Sequence, residues 1–144
     1  MQDYKVWIFQ ANPSKFNVIG ALTDKVIDSW RIENHKNEIK KGDVAIIWAS
    51  GKYAGIYAIA EITSDPHFMP IPSESERYWI DQDLKKDSTL RVEFKIIKNL
   101  IDKPIMRKKL LNIPELIELS ILKFAQKTNF PVTKSEWEII KKLI

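Results

Sequence analysis

The chain predicts an α+β fold, a small and strongly bent sheet or barrel with a few short helices packed against it. Three observations predict it. Extended segments come first and are rich in aromatic and β-branched residues, starting with Tyr4-Lys5-Val6-Trp7-Ile8-Phe9. Helical signals are short and gather toward the C-terminus. No strand–helix–strand period of the kind that builds a parallel sheet runs through the chain, and no internal repeat is visible. A length of 144 residues suits one domain, 1–144, with a core of its own.

The centre of the pattern is Val44 to Ala49 followed by Gly55 to Ile62. Val44-Ala45-Ile46-Ile47-Trp48-Ala49 is an unbroken apolar run, which suits a strand covered on both faces. Ser50-Gly51-Lys52 supplies a turn in which Gly51 is free to take a positive φ. The return strand is expected to carry Ile56, Ala58, Ala60 and Ile62 on one face and Gly55, Tyr57, Ile59 and Glu61 on the other. Its glycine and alanines leave little bulk, which fits close backbone approach or a wall for a flat ligand.

The flanking elements follow in order. Asn12-Pro13-Ser14 breaks the first strand, and Ser14 is positioned to cap a helix carrying Phe16, Ile19 and Leu22. Val26 to Ile32 is a short extended segment holding Trp30. Asn34 to Ile39 reads as one or two helical turns, stopped by Lys40-Lys41-Gly42. Three prolines between Pro66 and Pro72 exclude helix and central strand, so Ser64 to Ser73 is a loop. A polar stretch from Asp81 to Ser88 precedes Leu90-Arg91-Val92-Glu93-Phe94-Lys95-Ile96. That alternation marks a half-buried strand with Arg91 and Lys95 on its charged face. Asp102, with Pro104 in the first turn, predicts a helix to about Leu110, and Asn112-Ile113-Pro114 restarts a short helical piece through Ile117. Thr133-Lys134-Ser135-Glu136 is a capping box, after which Trp137, Ile140, Leu143 and Ile144 share a helical face.

Composition narrows the function classes. There is no cysteine, which excludes a disulfide framework, thiolate metal sites and thiol catalysis. No signal peptide and no apolar span of membrane length is seen, so a cytoplasmic protein without a membrane partner is expected. The net charge of +4 is unevenly spread. Residues 1–84 hold 9 Lys/Arg against 12 Asp/Glu, and residues 85–144 hold 14 against 7. The basic half fits a polyanionic partner, and a lysine-rich solvated surface gives the same pattern.

Catalytic constellations are missing. His35 and His67 lie in polar loop-like segments without a second ligand at metal spacing, and there is no nucleophile elbow or glycine-rich phosphate loop. The chain is therefore expected not to be an enzyme and to need no cofactor or metal. The aromatic inventory is richer, with five tryptophans. Trp7 and Trp137 read as core, and Trp48 as core or pocket wall. Trp30 and Trp79 sit among polar residues at the edges of elements, where a tryptophan either caps the core or lines a site. Two facing indoles form a slot for a flat ring, and stacking a base on an aromatic platform contributes about 1–3 kcal/mol. Asn12, Ser29, Asn34 and Ser50 are neutral polar groups near the same elements, suited to the edge of a base.

Taken together, Trp7-Ile8-Phe9-Gln10-Ala11-Asn12-Pro13, Trp30-Arg31-Ile32, Ile39-Lys40-Lys41-Gly42-Asp43-Val44-Ala45-Ile46-Ile47-Trp48, Gly55 to Ile62, Phe130-Pro131-Val132-Thr133 and Glu136-Trp137 resemble an EVE domain. That family belongs to the PUA-like superfamily and is related to the YTH domain. The resemblance implies a PUA-like mixed β-barrel of about five to six strands flanked by short helices. It also implies a non-catalytic reader that holds a flipped, methylated base of the 5-methylcytosine or N6-methyladenine type in an aromatic cage. By position Trp30 resembles the first cage tryptophan and Trp79 the second, with Tyr53 or Tyr78 as alternatives to Trp79, and the residue reading adds Trp48 as a further candidate wall. Asn12 resembles a residue contacting the base edge, and Ser29 and Ser50 are further candidates. Lys95, Arg107, Lys108 and Arg77 are the candidate phosphate contacts. The implied partner is DNA or RNA carrying a modified base, in a setting such as defence, with any nuclease or translocase supplied by another protein.

Two other readings compete. An RNA-binding PUA-like module would favour RNA regardless of methylation. A small PUA-like enzyme acting on nucleic acid or nucleoside would need a catalytic set for which Lys52 and Arg77 are the only candidates.

Overall fold

The computed structural model describes residues 3–80, 88–123 and 126–144. Its strands are β1 (Val6–Ala11), β2 (Ser29–Arg31), β3 (Val44–Ala49), β4 (Gly55–Ile62), β5 (His67–Met69), β6 (Thr89–Asn99), β7 (Ile105–Met106) and β8 (Asn129–Val132). Among the described residues four short α-helices accompany them: α1 (Val18–Thr23), α2 (Arg107–Leu111), α3 (Ser120–Lys123) and α4 (Lys134–Lys141). The main strand order is β2-β6-β4-β3-β1-β8, with β5 added on β6 and β7 on β4. Every pairing is antiparallel except β1 with β3, which run parallel from Val6 opposite Val44 to Ala11 opposite Ala49.

The sheet curls on itself. β1 and β2 are far apart in strand order, yet the Phe9 and Trp30 rings stack 6.2 Å apart, 24° from coplanar. The edge strands β2 and β8 are then stitched together by two asparagines. Asn129, fully buried, accepts from the N–H groups of Glu33 (2.8 Å) and Asn34 (3.0 Å) and donates to the Arg31 carbonyl (3.1 Å). Asn34 reciprocates by accepting from the N–H groups of Thr128 and Asn129. These bonds satisfy backbone groups that two open edges would leave unpaired.

β1 and β3 bury both faces, as the apolar run of β3 predicts. One face, with Trp7, Phe9, Ala45 and Ile47, packs with Trp30, Val92, Phe94 and α1. The other, with Val6, Ile8, Val44, Ile46 and Trp48, packs with Leu110, Phe130, Trp137 and Ile140. Asp43 anchors the entry to β3. It is fully buried and accepts from Trp7 Nε1 (2.9 Å), Lys5 N (3.0 Å) and Lys40 N (3.1 Å).

Several expectations are met. β3 and β4 have the expected limits, Gly51 turns between them at φ +94°, and Gly55 is a point of close approach. A Cβ there would lie 2.5 Å from the Ile105 carbonyl oxygen. The capping box at Thr133 forms in full and starts α4.

Six strands form the main path of the sheet, within the five to six expected, and two short edge segments at 67–69 and 105–106 join it, making eight among the described residues. Other expectations are corrected. The alternation proposed for β4 breaks at an irregularity where Ile47 faces Ala58 but Trp48 faces Ile56. Ile56 therefore joins the face opposite to Ala58, Ala60 and Ile62. Ser14 does not cap α1. Asn17 does, accepting from Gly20 N, while Asn12 holds Ser14 in a local turn. Residues 34 to 39 make a single turn closed on the His35 carbonyl. The helix expected from Asp102 begins only at Arg107, since Ile105 and Met106 pair with Ile56 and Gly55 instead. Ile144, expected on the buried face of the last helix, is exposed. Most of the polar stretch at 81–88 lies outside the described residues.

Candidate functional site

A cleft of about 570 Å³ opens where the curled sheet meets itself. The end of β1 and the turn after it contribute Gln10, Asn12, Lys15 and Phe16, while the approach to β2 and the strand itself contribute Ile27 to Arg31. Ala11, Glu33, Ser50, Ser75, Trp79, Arg91 and residues 126–128 complete it. The volume falls within the roughly 300–1,000 Å³ typical of ligand sites.

Its aromatic walls are held differently. Trp30 is 5 % exposed and packed between Phe9 and Phe94, so it is a core residue that also lines the cleft. Trp79 is partly buried and stands beside Phe16, ring centroids 4.7 Å apart at 50°. The segment carrying Trp79 is strapped to the segment before α1. Asn17 N donates to the Tyr78 carbonyl (2.6 Å), Ile80 N to the Lys15 carbonyl (2.8 Å), and Phe16 and Trp79 form a β-bridge. The Tyr78 hydroxyl donates to the Asp24 carboxylate, which also meets Arg77 at 3.3 Å. This wall is preorganised.

The polar groups are centred on Arg91. It is 6 % exposed, and its Nε donates to Ser29 Oγ (3.1 Å) while Nη2 donates to the Ser29 carbonyl (3.2 Å). Burial, and then the charge of Arg31, lowers its pKa to about 10; Asp28 acts in the opposite sense. Arg31 stands directly across the β2–β6 ladder from Arg91 and meets Glu33 at 3.4 Å. The Asp28 carboxyl is held above the usual carboxylate range, first by loss of hydration and then by facing Glu74 and Glu93, although the residue as a whole is exposed. Lys15 and Lys127 are exposed cations among the lining residues.

Of the residues singled out from sequence, the fold brings Trp30, Trp79, Asn12, Ser29 and Ser50 together at the cleft. Asn12 Oδ1 is occupied by Ser14, so its amide N–H groups are the part free to face a ligand. The others do not line it, Asn34, Tyr78 and Lys52 among them. Trp48 is 2 % exposed and packs on the opposite face of the sheet with Trp137, so it is core and no cage wall. Tyr53 is exposed on the β3–β4 turn under Lys52. Lys95 borders a separate groove with Leu22 and Ile97. Arg107 and Lys108 lie in α2 beside β7, and Arg77 pairs with Asp24.

Sequence reading missed Phe16, Lys15, Lys127 and above all Arg91. Leu90, Val92 and Phe94 set a period that points Arg91 outward, and only the pairing of β2 and β5 on either side of β6 covers it. The one sequence signal was the position of an arginine between two apolar strand residues.

Comparison with known proteins agrees with this architecture. A Leishmania major hypothetical protein superposes with TM-score 0.70 at 18% identity, over 98% of this chain and 94% of that one. Rpa0253 from Rhodopseudomonas palustris gives TM-score 0.69 at 20% identity, over 96% and 92%. Human THYN1, solved in complex with 5-methylcytosine-containing DNA, gives TM-score 0.65 at 16% identity, over 96% of both chains. No curated protein sequence matches the chain. The EVE domain family model matches residues 5–143, nearly the full length. The curled mixed sheet, its flanking short helices and this match assign the chain to the EVE domain family.

Proposed function

We propose that this protein is a non-catalytic reader of a modified base in nucleic acid. The base leaves its stack and enters the cleft between Trp30 and the Phe16–Trp79 pair, where its methyl group meets apolar wall and its edge meets polar groups. The observation that carries this reading is an aromatic cleft, wide enough for a base, with a buried cation among its lining residues and exposed lysines beside them. Membership in the EVE family supports it, as does the 5-methylcytosine DNA bound by human THYN1. Lys15 and Lys127 take over the phosphate role first given to Lys95, Arg107 and Lys108, because they border the cleft. In this reading the chain supplies recognition, and cutting or remodelling of the nucleic acid falls to a partner protein, as in defence against foreign DNA.

Tryptophan fluorescence reports the event, since stacking on a base quenches an indole. Matched oligonucleotides carrying cytosine, 5-methylcytosine, adenine or N6-methyladenine, as DNA and as RNA, are titrated at two salt concentrations. The reading expects one modified oligonucleotide to bind more tightly than its unmodified match, with the preference kept at higher salt. Equal binding to every oligonucleotide, weakening uniformly with salt, would leave only a general polyanion binder.

A further inference from the structure

We propose that Arg91 is the specificity-determining residue of the cleft, donating to a base edge that presents a ring-nitrogen acceptor beside a carbonyl oxygen. This rests on the base-reader reading above and names the feature that the reader recognises.

Arg91 is more than nine-tenths buried and lines the cleft. A guanidinium has five N–H donors. Two of them are spent on Ser29, at 3.1 Å and 3.2 Å. Those bonds occupy the Nε–Nη2 side of the fork and fix its plane, leaving three N–H groups for a ligand. Among the described residues no carboxylate forms an ion pair with it. The residue opposite it on β2 is another cation, Arg31. Like charges directly opposed across a ladder are destabilising, and the opposing charge acting on Arg91, that of Asp28, forms no ion pair with it among the described residues. An arrangement that weakens the free protein is expected where a ligand completes it.

The shape of the fork says what completes it. A planar guanidinium pairs best with two adjacent acceptors. A cytosine-type edge offers them on a single ring, with N3 next to O2, and guanine offers N7 next to O6 on a purine. On adenine the neighbour of N1 is the N6 amino group, a donor, which would face Arg91 donor to donor. On thymine and uracil N3 itself carries a proton. The cation that excludes these bases is the one that Ser29 holds in place.

The test separates this proposal from the reading beneath it. The full chain and its Arg91→Gln and Arg91→Lys variants are titrated with three DNA oligonucleotides, identical except for one base: cytosine, 5-methylcytosine or 3-deaza-5-methylcytosine. The last keeps the ring, the methyl group and O2 but replaces the N3 acceptor with C–H. A fourth and a fifth oligonucleotide carry N6-methyladenine and adenine. The wild-type protein is expected to prefer 5-methylcytosine over the deaza analogue by about tenfold or more. Arg91→Gln is expected to bind those two alike, and Arg91→Lys, which keeps the charge without the fork, to lose most of the difference. If Arg91→Gln does not fold, the lysine variant decides. Undiminished discrimination in the variants overturns the proposal, as does a wild-type preference for N6-methyladenine, which would leave the reader reading intact. Failure of the wild-type protein to distinguish any modified base from its parent defeats both.

Discussion

Trp30 and Trp79 share one cleft, yet substitution should affect them differently. Trp30 is packed between Phe9 and Phe94, so Trp30→Ala opens a core cavity and should destabilise the fold by about 3–5 kcal/mol. Trp79 is partly buried against Phe16 at the cleft wall. Trp79→Ala should remove a stacking surface and weaken binding of a modified oligonucleotide by about 1–3 kcal/mol, roughly fivefold to 150-fold, while the fold stays cooperative. Urea unfolding and binding isotherms on the two variants check this contrast. Arg91 supplies a second residue-level prediction. At neutral pH its guanidinium is charged in both the folded and unfolded chain, and the folded state bears the burial penalty. Its folded-state pKa is lowered to about 10, so above that pH the folded chain releases the proton first, and the penalty fades as pH rises. Arg91→Gln should therefore match or exceed the wild-type Tm at pH 7, and any advantage should shrink above pH 10. Thermal melts across that range decide it, and a large loss of Tm at pH 7 would mark Arg91 as a structural residue.

At the scale of elements, tertiary pairing overrides local signals in definite places. Pro104 and Asp102 carry a helix-start pattern, but Ile105 and Met106 are drawn into a two-residue strand because Gly55 and Ile56 offer them an edge. Gly55 makes that approach possible, with the Ile105 carbonyl oxygen 2.5 Å and the Met106 Cα 2.9 Å from where a Cβ would be. Gly55→Ala should thus destabilise the protein by about 1–3 kcal/mol, since backbone must shift to admit the methyl group. Chemical denaturation checks it, and an unchanged midpoint would mean that β7 packs more loosely than described. The elements legible from sequence were those whose signals are local. The apolar run of β3, the glycine turn after it and the capping box of α4 each specify their structure within a few residues. The strands that escaped notice, β5, β7 and β8, are short edge segments that owe their form to a neighbour. The site follows the same rule. Trp30, Trp79, Asn12, Ser29 and Ser50 were visible as aromatic or polar residues at element edges, whereas Arg91 became visible only once β2 and β5 were laid along β6.

At the scale of the whole molecule, the cleft exists because the sheet closes on itself through side chains. Asn129 is the buried link between β8 and the segment after β2, and Gln10, Arg31, Lys127 and Thr128 line the cleft around that seam. Asn129→Ala would strand the part-buried N–H groups of Glu33 and Asn34 and the Arg31 carbonyl, at about 1 kcal/mol for each bond lost. A loss of about 3 kcal/mol is expected, with faster amide exchange at Glu33 and Asn34; slow exchange there would show that the edges hold without it. A base held in the cleft lies against Trp30 and Trp79, and the five tryptophans make its place directly measurable. Assigned indole N–H signals are followed by NMR as a modified oligonucleotide is added. The Trp30 and Trp79 signals are expected to move, while those of Trp7, Trp48 and Trp137, packed in the core away from the cleft lining, stay in place. Movement confined to the latter three, or a bound state in which Trp79 does not respond, would contradict this placement of the base.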